Sequence, residues 1–266
     1  MKKLSEWKEL RNKFSGSVFV FLSGPSAKSF PVEKYSNYPF IAVNGSVSRL
    51  VELGVDPFFY IGTDIEAIKG AGDIAVSGLN NSCYSAFSVE VYKDFFSKYK
   101  SKVDEGKLDE AFKLEKSTRI NRGKSESIKR FAFRNILDKE LKYRFSLFSN
   151  NKNRVGFSSN MGKGYYCART IAYVAIQLAK HLGFNKVFIV GLDLTSENRF
   201  YEEGEVSAPS ALDINYERFI LPSFKFLSEK VVDNSFSVFN LSENSRLPNN
   251  LISKISFLEL DNMLSE

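Results

Sequence analysis

"VFVFLSGPSA", residues 18–27, sets an uninterrupted apolar run against an abrupt stop. Val18 to Leu22 form a short run of large apolar side chains, which predicts a buried strand. Ser23-Gly24-Pro25-Ser26 then ends it. Such a cluster is either an ordinary turn or a loop whose small residues let an anionic ligand approach the backbone. It is neither a GxGxxG dinucleotide fingerprint nor a P-loop, because no GK[ST] follows.

The same punctuation recurs along the chain. A strand at Phe40–Val43 ends in Asn44-Gly45-Ser46, and "VSRLVELG" after it has helical spacing with a stop at Gly54. A strand at Phe58–Ile61 ends in Gly62-Thr63-Asp64. "YYCARTIAYVAIQLAKHL", 165–182, predicts the longest helix, with a small apolar face from Ala168, Ile171, Ala172, Ala175, Ile176 and Ala179 and a stop at Gly183. A strand at Lys186–Val190 ends in "GLDLTS", followed by a helix near 214–230 and a strand at Phe236–Leu241. Alternating helices and strands imply parallel crossovers and an α/β, Rossmann-like, open and mostly parallel sheet. In such a sheet Ser23–Ser26, Asn44–Ser46, Thr63–Asp64 and Gly191–Thr195 share the carboxyl edge, where ligands bind. "NMGKG", 160–164, precedes the long helix. Its backbone N–H groups, the close approach allowed by Gly162 and Gly164, and the Lys163 ammonium suit a phosphate or carboxylate.

With 266 residues, 43% of them hydrophobic, the chain can bury a full core. No apolar run reaches the length of a membrane span, and charges throughout residues 1–14 exclude a secretory signal. Cys83 and Cys167 fit no metal spacing or disulfide framework, which suits a reducing cytoplasm. The net charge of +6 is concentrated between Lys93 and Arg154, where 18 Lys and Arg face 9 Asp and Glu. That block is either a solvated helical face or a surface for an anionic partner: nucleic acid, an anionic lipid surface, or a phosphorylated or carboxylated substrate. Three regions follow: a basic amphipathic segment at 1–16, a Rossmann-like domain at 17–94 and 155–266, and a helical insertion or lid at 95–154 with no obvious strand. Leu4, Trp7, Leu10 and Phe14 recur at helical spacing among Lys and Arg, so the first segment either lies on an anionic membrane or packs on the protein's own core.

"FVFLSGPSAKS" (19–29), "IAVNGS" (41–46), "FFYIGTD" (58–64), "VGFSSNMGKGYYCARTIAYVAIQLA" (155–179) and "GLDLTSENRFYEE" (191–203) resemble the lipopolysaccharide-core Kdo transferases of the WaaZ type, which add a 3-deoxy-manno-octulosonic acid (Kdo) to the inner core. The order of motifs is more distantly similar to bacterial sialyltransferases that use CMP-sialic acid, including the spacing from Asp193 to Tyr201. Both donors are CMP-activated 2-keto sugar acids. The resemblance implies that Gly24, Pro25, Ser26, Asn44 and Gly45, with Ser46, Thr63 and Asp193 beside them, hold the cytidine monophosphate. It puts Asn160, Gly162, Lys163 and Gly164 near the phosphate or the Kdo carboxylate. Asn244 and Ser245 would form a further nucleotide-contacting turn, and Tyr201 would donate its phenol to the departing phosphate.

The sialyltransferases place a histidine base in the lid after the GxD strand. Here the one histidine, His181, precedes that strand and reads as a helix C-terminal partner. A carboxylate must then act as base: Asp64 first, with Glu202, Glu203 and Asp213 as alternatives. Asp193 also reads as a cap on its own turn. No cofactor or metal is expected, since the chain has no His/Cys cluster and no DxD pair at a strand end. The resemblance implies a metal-independent, inverting Kdo transfer from CMP-Kdo to an anionic lipopolysaccharide core, in the cytoplasm or peripherally on the cytoplasmic face of the inner membrane. The rivals are a sialyltransferase of the same architecture and a non-catalytic glycolipid-binding protein. No nucleic-acid recognition motif accompanies the charge.

Overall fold

A computed structural model describes residues 6–69, 72–149, 152–195, 200 and 212–265. The strands are β1 Ser17–Phe21, β2 Phe40–Val43, β3 Phe59–Gly62, β4 Tyr84–Ser88, β5 Phe112–Leu114, β6 Leu141–Tyr143, β7 Gly156–Ser158, β8 Lys186–Val190, β9 Ser237–Asn240 and β10 Ser253–Lys254. The α-helices are α1 Val47–Glu52, α2 Ile65–Lys69, α3 Gly72–Asn81, α4 Val89–Lys98, α5 Lys107–Glu110, α6 Ser117–Asn121, α7 Ile128–Arg134, α8 Ile171–Leu182, α9 Leu212–Asn215, α10 Leu221–Lys230 and α11 Phe257–Ser265. Eight strands form one sheet in the order β10-β9-β8-β1-β2-β3-β4-β5, with every pair parallel. β6 and β7 make a separate antiparallel pair.

The apolar run in β1 has a physical explanation in this sheet. Val18, Val20 and Leu22 enter one core with Ile41, Val43, Ile61, Val187 and Ile189, beneath α8 and α10. Phe19 and Phe21 enter the other with Phe40, Tyr60, Phe87 and Phe188, beneath α1, α3, α4 and α11. Both faces are covered, so β1 is apolar at every position. The strand order reverses between β1 and β8: β1 to β5 run outward on one side, β8 to β10 on the other. That reversal is the topological switch point, where doubly wound sheets open a crevice beyond the strand ends.

The buried Gln177 of α8 ties the helix to the chain in front of it. Its carbonyl oxygen accepts from the Ser158 and Tyr166 amides, and its amide donates to the Tyr166 and Tyr173 carbonyls. All of its hydrogen-bonding capacity is used, which lets a polar side chain sit in a core.

Two expectations change, and one of two alternatives is met for the described N-terminal residues. The helix predicted from Tyr165 begins at Ile171, because the Thr170 side chain caps it by accepting from the Ala172 amide. The basic segment 95–154 is not purely helical: β5 joins the main sheet beside β4, and β6 pairs with β7. In the N-terminal amphipathic segment Trp7 and Leu10 pack on the protein's own core, and Leu4 lies outside the described residues. Its described part, 6–16, contains a 3₁₀ turn, Trp7–Glu9, whose Trp7 is buried at 8% exposure. The indole packs on Phe59 and Phe112 and donates to the Lys113 carbonyl.

Candidate active site

The turn that follows β1 is held directly against the turn that follows β8. The Gly24 amide donates to the Gly191 carbonyl, and the Ser26 amide donates to Asp193 Oδ2 at 3.0 Å. An added Cβ on Gly24 would run into that carboxylate and the Gly191 carbonyl. Gly191 has φ +76 and is backed by Ala27 and Leu22. Ser-Gly-Pro-Ser is therefore the close approach of two backbones at the switch point, and Pro25 starts the 3₁₀ turn that carries the chain away. Asp193, 6% exposed, braces the β1 turn.

The neighbouring strand ends join the same edge. Asn44, after β2, has φ +45, and its Oδ1 accepts from the Thr63 amide after β3. Gly45 is buried, as is Ser46, whose hydroxyl donates to the Phe21 carbonyl and accepts from the Val43 amide. Ser46 thus fastens β1 to β2 and presents nothing to solvent. Asp64 is exposed, and its Oδ1 accepts from the Glu66 amide at the start of α2. Beyond β9, Ser242 Oγ lies 2.8 Å from Ser26 Oγ, and the Arg246 amide donates to the Asp193 carbonyl. Ser245 is buried with its hydroxyl on the Leu192 carbonyl, while Asn244 is exposed beside it. The exposed Asp213 carboxylate binds the Arg246 guanidinium, which covers the Tyr216 ring at 3.9 Å. Tyr201, Glu202 and Glu203 lie outside the described residues. Phe200, the chain neighbour of Tyr201, donates its amide to the Ser23 carbonyl and sets its ring against Phe21.

The Asn160–Gly164 turn does not abut the start of α8. Seven residues separate Lys163 from the first residue of α8. The Met161 amide donates to Nδ1 of His181, near the other end of that helix and hence toward the amino edge of the sheet. Lys163 Nζ is engaged by Asp138 at 3.0 Å and Glu140 at 2.8 Å. Glu140 also takes Arg11 and the Asn160 amide, and the Lys163 ammonium, its first partner, holds its carboxyl down at about 2. Gly162 donates to the Asn160 side chain, and Gly164, at φ +80, has room for no Cβ against the Glu115 and Ser117 backbone. These residues form a structural clamp. His181 belongs to it: Nδ1 accepts from Met161, Nε2 donates to the Trp7 carbonyl, and burial depresses its pKa to about 4. It is neither a base nor a partner for its own helix end.

What occupies the position expected for NMGKG is "CART". Ala168 and Arg169 stand at φ +40 and +59 immediately before Thr170 caps α8 at the carboxyl edge. The Arg169 side chain is exposed, with its guanidinium 5.5 Å from the Phe219 ring centre. Leu194, after β8, also has positive φ, at +57. Four of the five non-glycine residues with positive φ among the described residues, Asn44, Ala168, Arg169 and Leu194, are at this edge. For Ala, Arg and Leu that conformation costs about 1–2 kcal/mol each and persists where surrounding structure enforces it, typically at functional sites. Among the described residues no three His, Cys, Asp or Glu side chains gather as a metal site.

Comparison with known proteins shows the family. The family model described as "3-deoxy-D-manno-octulosonic acid transferase WaaZ" matches residues 4–258. A probable 3-deoxy-manno-octulosonic acid transferase of Escherichia coli K12 is 30% identical over 97% of this chain and 87% of its own length. Its counterpart from Salmonella typhimurium LT2 is 33% identical over 91% of this chain and 87% of its own. The MAf glycosyltransferase structure from Magnetospirillum magneticum AMB-1 aligns with 90% of this chain and 34% of its own, at 13% identity and a TM-score of 0.49, a likeness too slight to build on. With matches across nearly its whole length, the chain belongs to the WaaZ family of Kdo transferases, which are glycosyltransferases.

Proposed function

We propose that the protein transfers Kdo from CMP-Kdo to a sugar hydroxyl, a Kdo residue, of the lipopolysaccharide inner core, with the donor at the carboxyl edge between β1 and β8. One observation carries this reading: the β1 and β8 turns meet at the switch point, within a ring of strained non-glycine residues. The Gly24–Ser26 turn, Asn44, Gly45, Thr63 and the exposed Asn244 receive the cytidine monophosphate. Ser46, Asp193 and Ser245 act behind them as braces. Arg169, in front of α8, meets the phosphate or the Kdo carboxylate, the role the sequence reading gave to Lys163.

Departure of CMP leaves charge on the phosphate, and a group that stabilises it in the transition state lowers the barrier directly. Tyr201 is assigned that role. Its chain neighbour Phe200 is hydrogen-bonded to Ser23 of the β1 turn. Asp64, exposed at the end of β3, takes the proton from the acceptor hydroxyl as the anomeric carbon inverts. These groups supply the leaving-group and proton chemistry without a metal. CMP-activated donors are cytoplasmic, so the reaction belongs on that face of the inner membrane.

Calorimetric titration with CMP, UMP and GMP, with a chelator present, tests the donor site. Selective CMP binding that is lost in Asn44→Ala is expected. No cytidine preference in the folded protein would refute the site. With CMP-Kdo and a Kdo-bearing lipid A acceptor, Tyr201→Phe should lower kcat about 100-fold or more while leaving CMP affinity within about threefold. Equal losses in both would remove Tyr201 from the transition state.

A further inference from the structure

We propose that the surface formed by α6, α7 and the loop after β6 docks the protein on an anionic lipid bilayer. Nine large hydrophobic side chains are exposed among the described residues, and six of them lie here: Ile120, Phe133, Ile136, Leu137, Leu147 and Phe148. Leu137 is 89% exposed and Phe148 98%. Contacts hold these pieces together. Arg134 of α7 donates to the Asn121 carbonyl at the end of α6, and Phe133 meets Phe145 after β6 at 5.4 Å between ring centres. The inward side of the same segment is well packed, with Phe131, Ala132, Leu141 and Tyr143 in the core. The outward apolar groups are therefore presented by a folded scaffold.

Charge identifies the partner. Between Ser117 and Ser149 nine Lys and Arg stand against three Asp and Glu. All three acids are already engaged: Glu126 by Arg134, and Asp138 and Glu140 by Lys163. The cores of protein–protein interfaces are depleted in charge, lysine above all. Here single apolar tips project among cations, Lys129 and Arg130 on α7 and Lys139 beside Leu137. That pattern matches the interfacial zone of a bilayer, where apolar side chains enter the acyl boundary and Lys and Arg meet lipid phosphates.

Vesicle sedimentation of the full chain tests this without reference to transfer activity. Binding is expected to vesicles of phosphatidylcholine with phosphatidylglycerol, to be far weaker with phosphatidylcholine alone, and to weaken with salt. The double variant Leu137→Ser/Phe148→Ser should lower partitioning at least about tenfold, since each side chain contributes on the order of 1.5–3 kcal/mol when buried. Lys129→Glu/Arg130→Glu should act similarly. Leu258→Ser, an exposed change outside this surface, should have no effect. Arg130, Leu137, Phe148 and Leu258 are exposed and Lys129 is half-buried, and unchanged thermal unfolding verifies each fold. No binding to anionic vesicles, or binding untouched by both double variants, would overturn the proposal. So would sedimentation velocity showing a dimer that Leu137→Ser/Phe148→Ser dissolves with no vesicle binding, which would make this face a self-interface.

Discussion

His181 shows how far one side chain's surroundings decide its chemistry. A histidine in a glycosyltransferase invites the role of base, yet this imidazole is fully buried and bonded at both nitrogens, to the Met161 amide and the Trp7 carbonyl. That pairing requires the neutral ring with its proton on Nε2. Burial is the main cause of its depressed value, about 4 against an ordinary 6.5. Between those values the unfolded chain binds a proton that the folded one refuses. The contribution of His181 to stability is thus complete above pH 6.5 and is lost as pH falls toward 4. The span corresponds to roughly 3 kcal/mol. Urea unfolding at pH 7.5 and pH 4.5 should show a smaller loss on acidification in His181→Gln than in the parent. Parallel losses would place the acid sensitivity elsewhere.

At the scale of elements, the junction of β1 with β8 concentrates the constraints. Two strands adjacent in the sheet but far apart in sequence end in turns that share Gly24, Gly191, Ser26 and Asp193. Gly24→Ala drives a methyl group into the Asp193 carboxylate and the Gly191 carbonyl, and should cost about 1–3 kcal/mol as the turns separate. Asp193→Ala leaves the Ser26 amide without its acceptor, a loss of about 1–3 kcal/mol. Both variants should also lose CMP binding, because the crevice is shaped by that contact. Thermal unfolding together with CMP titration checks this; full CMP affinity in Gly24→Ala would mean that the donor does not touch the turn. The start of α8 carries a related lesson. Thr170 is a standard N-cap residue, which marks Ile171 as the helix start and puts Arg169, rather than Lys163, directly in front of it.

At the scale of the molecule, the N-terminal segment is part of the fold. Trp7 closes the core over β3 and β5, meets His181 edge-on, and receives the Nε2 hydrogen bond through its carbonyl. The Asn12 and Phe14 amides donate to the His181 and Leu182 carbonyls, which ties the entry to β1 to the end of α8. Trp7→Ala should therefore destabilise the whole protein by about 3–5 kcal/mol in urea unfolding, the usual cost of emptying an aromatic core site. A change under about 1 kcal/mol would mean that the segment is only draped on the surface.

The parallel sheet and the small-residue ends along its carboxyl edge were legible in the sequence alone. Runs such as Val18–Leu22 and Lys186–Val190 are apolar throughout because both faces are covered, and their small-residue ends mark where the backbone turns. Those are local properties, and local patterns report them. Partners across the sheet are not local. Only the tertiary structure decided that Asp193 braces the β1 turn and that Ser46 is a buried fastener between β1 and β2. It also decided that Lys163 is neutralised by Asp138 and Glu140, which approach from 23 to 25 residues away in the chain. The same holds for Trp7, whose amphipathic spacing suits a membrane and a core equally well. Helical spacing says that one face is apolar; the molecule assembled around that face says what it meets.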